Sequence, residues 1–382
     1  MRVRGILTAV ALRFAAALRF AALRFAAAGL AACGPMPASG VGDASTLPSD
    51  PLAREGGALY TKYCALCHGT EGEGYAADNA SQLRNAEFLR TASFPFLYMA
   101  IEQGRIGTPM AAYGARFGGP LEHDGIKKLV AYLESWRLAP SLALSAEPVG
   151  GDPVAGAQLF GERCAGCHGA RGEGKKALSV NNPVFLMSAT DAFLRHAIVH
   201  GRPGTPMPAF GHTLDARRLD DLTAFLRSLT RTVDERPSVG ELPPSFEQVA
   251  VNPAGPAPEF STLRAGRYVP AEEVNRELAR GAKMVLLDAR PTSDWLMSHV
   301  PGALPVPYYE PNRMTAKLPR DGTWILAYCG CPHAASGQVM DSLRAAGFPN
   351  TAVIDEGIFE WIRRGYPVTH GTKPKALAPA NE

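Results

Sequence analysis

Two stretches of the 382-residue sequence carry two cysteines and a histidine at the same tight spacing, Cys64, Cys67 and His68 in "CALCH" and Cys164, Cys167 and His168 in "CAGCH". Thiols three residues apart can both form thioethers with the vinyl groups of one haem, and the adjacent histidine is then carried under the iron as an axial ligand. A single Cys-x-x-Cys could equally serve as a dithiol redox pair. Here the motif occurs twice, each time followed by glycine and later by a methionine-bearing loop. That loop names the sixth ligand: Met110 in "GRIGTPM" and Met207 in "GRPGTPM" hold the same place behind a stiffening proline. His/Met ligation raises the reduction potential and suits electron transfer rather than haem chemistry on a substrate. Met99 and Met187 lie on apolar stretches and read as core, while His196, His200 and His212 have no histidine counterparts in the first stretch.

A third cluster, "YCGCPHAAS", places Cys329, Cys331 and His333 at i, i+2 and i+4. Thioether attachment needs i, i+3 and i+4, so this is not a haem site, and a zinc ion would lack a fourth ligand. A reactive thiol fits better. Cys329 ends the apolar run "WILAYC", and the loop after it leads into a helix expected from about Ser336 to Gly347. In open α/β sheets ligands bind in that crevice, and the amino end of a helix favours a thiolate.

Those residues need elements to position them, and an internal repeat supplies the first set. "LYTKYCALCHGTEGEGYA" (59–76) matches "LFGERCAGCHGARGEGKK" (159–176), and the methionine loops at 104–114 and 201–211 match as well. "REGGALYTKYC" and "VAGAQLFGERC" read as helices delivering the cysteines. "HDGIKKLVAYLESWR" and "DARRLDDLTAFLRSL" have apolar residues at helical spacing and close each unit. Residues 52–138 and 152–230 each resemble a bacterial class I cytochrome c domain. The resemblance implies two covalently attached haem c groups, attachment outside the cytoplasm, and one-electron exchange with redox partner proteins.

After a proline-rich stretch at 231–260, a linker or wrapping arm, the pattern changes. "MVLLDAR", "WILAYC" and "TAVID" read as buried strands separated by helices, hence a parallel sheet covered on both faces. With "DAR" at 288–290, "HVPGA" at 299–303 and the Cys329 loop in that order, this region resembles rhodanese-type sulfurtransferases. The resemblance implies that Cys329 attacks a sulfane sulfur donor and carries the sulfur as a persulfide. It gives Asp288 and Arg290, with His299, a bracing role, and leaves His333 as loop support. Cys331 has three readings: a resolving thiol, a regulator of the loop, or a space-filling residue. The loop holds neither Arg nor Lys, which disfavours dianionic thiosulfate and leaves persulfides or polysulfides as donors, and Glu356 stands where the family often has glycine.

The whole reads as a multidomain chain: two all-α cytochrome c domains followed by an α/β rhodanese-like domain with a central parallel sheet. Its division is a lipoprotein-type signal (1–33), a flexible tether (34–50), cytochrome c domains at 51–140 and 151–230, the proline-rich linker (231–260), the rhodanese-like domain (261–370) and a tail (371–382). Lipidation of Cys33 after "LAA" would anchor the exported protein on the periplasmic side of a membrane. Arg13, Arg19 and Arg24 interrupt the apolar run, each at about 2.5–3.5 kcal/mol on insertion scales, so an uncleaved anchor or simple release stays open. A net charge of +3, spread rather than striped, argues against nucleic acid. The function expected is dihaem electron transfer coupled to sulfane sulfur handling on Cys329. The alternative is a plain electron carrier whose rhodanese-like domain only binds a partner or senses redox state.

Overall fold

Seven helices of the first half begin at an Asp, Asn, Ser or Thr whose side chain accepts a hydrogen bond from the first turn. The computed structural model describes residues 50–77, 79–230, 248–261, 263–330 and 333–371. The signal segment with Cys33, almost all of the tether, half of the linker, Cys331 and nearly all of the tail lie outside the described residues. Helix α1 (Pro51–Tyr63) starts on Asp50, whose carboxylate accepts the Leu52 N–H at 3.0 Å, with Pro51 where no N–H is needed. Its counterpart α6 (Pro153–Arg163) starts on Asp152 in the same way. One-turn helices α2 (Ala65–His68) and α7 (Ala165–His168) follow directly. Then come α3 (Ala86–Thr91) and α4 (Phe94–Gln103) in the first unit, α8 (Pro183–Ser188) and α9 (Asp191–His200) in the second, capped by Asn85, Ser93, Asn182 and Thr190. The units close with α5 (His123–Ser135) and α10 (Ala216–Ser228).

The opening and closing helices cross closely because glycine sits at the crossing. A Cβ on Gly56 would stand 2.0 Å from the Lys128 carbonyl oxygen, and one on Gly156 2.0 Å from that of Asp221. Ile126, Leu129, Val130 and Leu133 of α5 and Leu219, Leu222 and Leu226 of α10 are buried at these crossings, each contributing about 1.5–3 kcal/mol relative to exposure. Met187 departs from expectation: it is 55% exposed, because α8 buries Val184 and Leu186 instead.

The two units meet through reciprocal contacts, residue n of the first exchanging places with n+97 of the second. Phe96 and Phe193 lie 4.7 Å apart between ring centres. The Arg105 guanidinium lies over Phe96 and Phe185, and that of Arg202 over Phe193 and Phe88. Asn85 donates to the Pro203 carbonyl and Asn182 to the Ile106 carbonyl, both at 2.9 Å.

The C-terminal domain has a five-stranded, all-parallel sheet ordered β1-β5-β4-β2-β3. In chain order it runs β1 (Tyr268–Val269), α11 (Ala271–Ala279), β2 (Val285–Asp288), α12 (Thr292–Met297), β3 (Leu304–Pro305), β4 (Ile325–Tyr328), α13 (Ala334–Ala345), β5 (Thr351–Ile354) and α14 (Gly357–Arg363). Val339 and Leu343 of α13 cover one face; Val274 of α11 and Ile358 and Trp361 of α14 cover the other. Helix α13 begins two residues before Ser336 because His333 takes a left-handed conformation, φ 77°, and starts it early. The end of the proline-rich stretch wraps this domain, Val251 pairing with Met284 while Val249 and Ala250 pack on its core. All described residues fall in one compact unit. Among them, no helix is long and apolar enough to cross a membrane.

Candidate functional site

Each Cys-x-x-Cys-His is shaped by the end of the helix before it. Cys64 caps α1, its N–H bonded to the Tyr60 carbonyl at 2.8 Å, and Cys164 caps α6 on Phe160 at 2.8 Å with nearly the same dihedrals. Bonds from the Cys67 and His68 N–H groups to the Cys64 carbonyl then fold the motif into one turn. The His68 Nδ1–H donates to the Ser81 carbonyl at 2.8 Å and that of His168 to the Leu178 carbonyl at 2.9 Å. A carbonyl can only accept, so in both rings Nε2 keeps the lone pair an iron would need. Burial lowers the pKa of both histidines, which favours the neutral ligand form. Burial also pushes the Cys64 thiol up to about 12 and the Cys164 thiol up to about 11.

The methionine loops are built alike. The Arg105 N–H reaches the Met110 carbonyl at 2.7 Å and the Arg202 N–H that of Met207 at 3.0 Å. The hydroxyls of Thr108 and Thr205 each accept from the methionine N–H at 3.2 Å. The residues fit a haem in one further respect: Arg105 Nη1 is buried with no hydrogen-bond partner, as expected of a guanidinium placed for a buried anionic group such as a haem propionate. Burial brings Arg105 and Arg202 down to about 10. Cys64, Cys67, His68 and Met110, and in the second unit Cys164, Cys167, His168 and Met207, are thus the residues that would hold such groups.

The two motifs differ in what covers them. Cys167 is exposed, whereas Cys67 is half-buried, because α13 of the C-terminal domain approaches α2. Leu66, between the first pair of cysteines, packs in the apolar cluster that contains Cys329 and Tyr308. The Tyr308 hydroxyl donates to the Tyr63 carbonyl and stands 2.8 Å from the Tyr113 hydroxyl, three residues beyond Met110. Ser293 Oγ donates to the Ala112 carbonyl at 2.6 Å, and Tyr309 packs edge-on against Tyr63 at 4.9 Å. Sequence reasoning missed this seam. One readable signal existed, since Leu66 stands where the other motif has Gly166, an apolar side chain on a turn otherwise open to water.

Cys329 follows β4, with its Sγ 3.3 Å from the Ser336 hydroxyl in the first turn of α13, and it is 2% exposed. His333 turns away from the thiol: its Nε2 lies 2.8 Å from the Asp355 carboxylate, which Arg264 also grips at 2.5 and 2.7 Å. Arg290 and Asp288 form a buried pair at 2.6 Å; Arg290 also donates to the Ser298 carbonyl at 2.5 Å and lies over the Tyr328 ring. Burial opposes the Arg290 charge, yet the Asp288 carboxylate outweighs it and holds the group protonated. His299 stacks on Trp295 and donates from Nδ1 to its carbonyl. These contacts leave Asp288, Arg290 and His299 engaged with the wall behind the loop.

Comparison with known proteins finds relatives for both halves of the chain. Residues 51–133 and 151–226 match the family described as cytochrome c oxidase, cbb3-type, subunit III, and residues 270–364 match the rhodanese-like domain. The cbb3-type cytochrome c oxidase subunit FixP of Azorhizobium caulinodans is 30% identical over 187 residues, covering 47% of this chain and 60% of its own. The probable adenylyltransferase/sulfurtransferase MoeZ of Mycobacterium tuberculosis is 30% identical over 165 residues, 41% of this chain and 40% of its own. A crystal structure of thiosulfate sulfurtransferase from Pseudomonas aeruginosa is 28% identical, covering 29% of this chain and 22% of that one at a TM-score of 0.25. The chain spans about three fifths of the first of these relatives. It is thus built of c-type cytochrome electron-transfer domains, which imply covalently bound haem c, in tandem and joined to a rhodanese-like domain.

Proposed function

We propose that this is an exported two-haem electron carrier in which a rhodanese-like sulfurtransferase domain passes electrons from sulfane sulfur to the first cytochrome unit. The observation that carries the reading is the seating of Leu66, between the haem-attaching Cys64 and Cys67, in one apolar cluster with Cys329. A domain that worked independently would have no reason to cover that turn.

Cys329 thiolate attacks the outer sulfur of a persulfide or polysulfide, R–S–S⁻, forming a sulfur–sulfur bond while R–S⁻ leaves. The product Cys329–S–S⁻ lies near the amino end of α13, whose N–H groups favour an anion. Joining that persulfide to a second thiolate, R′–S⁻, yields Cys329–S–S–S–R′ and releases two electrons. Groups held by His68 with Met110 and by His168 with Met207 would each accept one of these electrons, for onward transfer to a redox partner such as a respiratory oxidase. When bound, haem with His and Met ligands supplies a one-electron couple of raised potential. Residues His68 with Met110, and His168 with Met207, hold those positions. His333, tied to Asp355, supports the loop. Cys331, two residues beyond Cys329 in the sequence, is the candidate for a resolving thiol. Lipidation of Cys33 keeps the assembly at a membrane outside the cytoplasm.

The burial of Cys329 favours a second reading, in which the domain is a non-catalytic brace or redox sensor. One experiment separates them: add polysulfide to the oxidised, haem-loaded chain and follow the visible spectrum beside Cys329→Ala. Reduction of both haems that depends on Cys329 is the expected result. Equal reduction in parent and variant, or none in either, removes the coupling and leaves the plain carrier.

A further inference from the structure

The reciprocal interface between the cytochrome units is broken at one place. Exchanging n for n+97 pairs Glu87 with Val184, Met99 with His196, and Gln103 with His200. On one side of the interface the three positions hold Met99, Gln103 and a buried Val184. On the other, all three are metal-ligand types. His196 and His200 stand one turn apart on α9, and Glu87 faces them from α3 of the other unit. One ligand atom from each lies within 4.8 Å of the other two. His196 Nε2 donates to Glu87 Oε2 at 2.8 Å, Arg90 donates to the other carboxylate oxygen at 3.0 Å, and the two imidazole rings lie 4.2 Å apart, tilted by 33°.

We propose that Glu87, His196 and His200 form a binding site for a divalent cation of the zinc class, clamping the first cytochrome unit to the second. Two imidazoles and a carboxylate are a borderline donor set that suits Zn²⁺, with water in the fourth position. Tetrahedral bonds of about 2.0–2.1 Å place ligand atoms about 3.3–3.4 Å apart, so the three groups need only draw in slightly. His196 gives up its hydrogen bond to Glu87 as the ion enters, and Arg90 remains on the outer oxygen to orient the carboxylate. His200, exposed to solvent, is the point of entry. A plain ion pair explains Glu87 and His196 but not the exposed His200 held beside them.

The test uses the full haem-loaded chain, whose Cys-x-x-Cys thiols are spent in thioethers, titrated with zinc chloride by calorimetry. The parent should bind one more zinc ion than His200→Gln, whose affinity at this site should fall at least about 100-fold. His196→Met, the residue of the first copy, should behave the same way. Zinc should also raise the unfolding temperature of the parent, read at the Soret band, and not that of His200→Gln. Identical isotherms for parent and both variants, or no uptake by the parent, overturn the site.

Discussion

Removing one oxygen atom from Tyr308 should loosen the seam between the rhodanese-like domain and the first cytochrome unit. The Tyr308 hydroxyl donates to the Tyr63 carbonyl, which commits its only proton; the Tyr113 hydroxyl must therefore donate to Tyr308. All three residues are buried. Tyr308→Phe leaves the Tyr63 carbonyl and the Tyr113 hydroxyl both unmet, at about 1–3 kcal/mol each, so a loss near 3 kcal/mol is expected. Tyr113→Phe removes a donor while Tyr308 keeps its bond to Tyr63, costing about 1 kcal/mol. In the double variant only the carbonyl is stranded, and the loss should return to about 2 kcal/mol. The cycle thus predicts a coupling of about 1–2 kcal/mol, measurable by urea unfolding of the haem-loaded chains followed by circular dichroism. Additivity within about 0.5 kcal/mol would refute the bonding scheme. Should the cycle close as expected, Tyr308→Phe should also slow haem reduction by polysulfide.

Gly156→Ala drives a methyl group into the Asp221 carbonyl, an overpacking cost of about 1–3 kcal/mol. Gly161→Ala on the same helix meets nothing within 4 Å and should stabilise by about 0.8–1.0 kcal/mol; thermal unfolding read at the Soret band should move the two in opposite directions. The Asp355 carboxyl is held below the usual range chiefly by its hydrogen bonds from Arg264, against burial, with His333 adding to the effect. A depressed carboxylate contributes stability that is present above its unfolded pKa, about 3.9, and is lost as pH falls through the folded value. Amide exchange at the start of α13, corrected for intrinsic rates, should therefore stay slow from neutral pH to about 4 and quicken below it. Asp355→Asn should exchange quickly throughout; a variant that matches the parent would show that His333 is held by something else.

The parts of the chain legible beforehand are those whose physics is local. Haem attachment demands contiguous residues, so Cys64, Cys67 and His68 and their copies stand out wherever they fold. Helices α1, α5, α6 and α10 are long enough for a 3.6-residue period, and β2, β4 and β5 are unbroken apolar runs. Strands β1 and β3, two residues each, carry no period at all. Helix α8, at six residues, is too short for a 3.6-residue period to show which face it buries, so the sequence alone reads Met187 as core. The left-handed His333 that starts α13 early is a backbone choice set by Asp355, 22 residues on. The seam was hidden for the same reason: Tyr63 and Tyr308 are 245 residues apart, and nothing in either neighbourhood refers to the other.

The crossed placement of Arg105 and Arg202 over each other's phenylalanines says something about ancestry. A patch that satisfies itself when two copies are turned to face one another is the hallmark of a homodimer. A single ancestral unit bearing Asn85, Phe88, Phe96 and Arg105 would have carried both halves of that match. Tandem duplication made the association intramolecular, holding it at the high effective concentration a short tether provides. Once pairing no longer depended on two identical partners, each copy was free to specialise. Leu66 under the rhodanese-like domain and the histidines of α9 are places where the two copies differ.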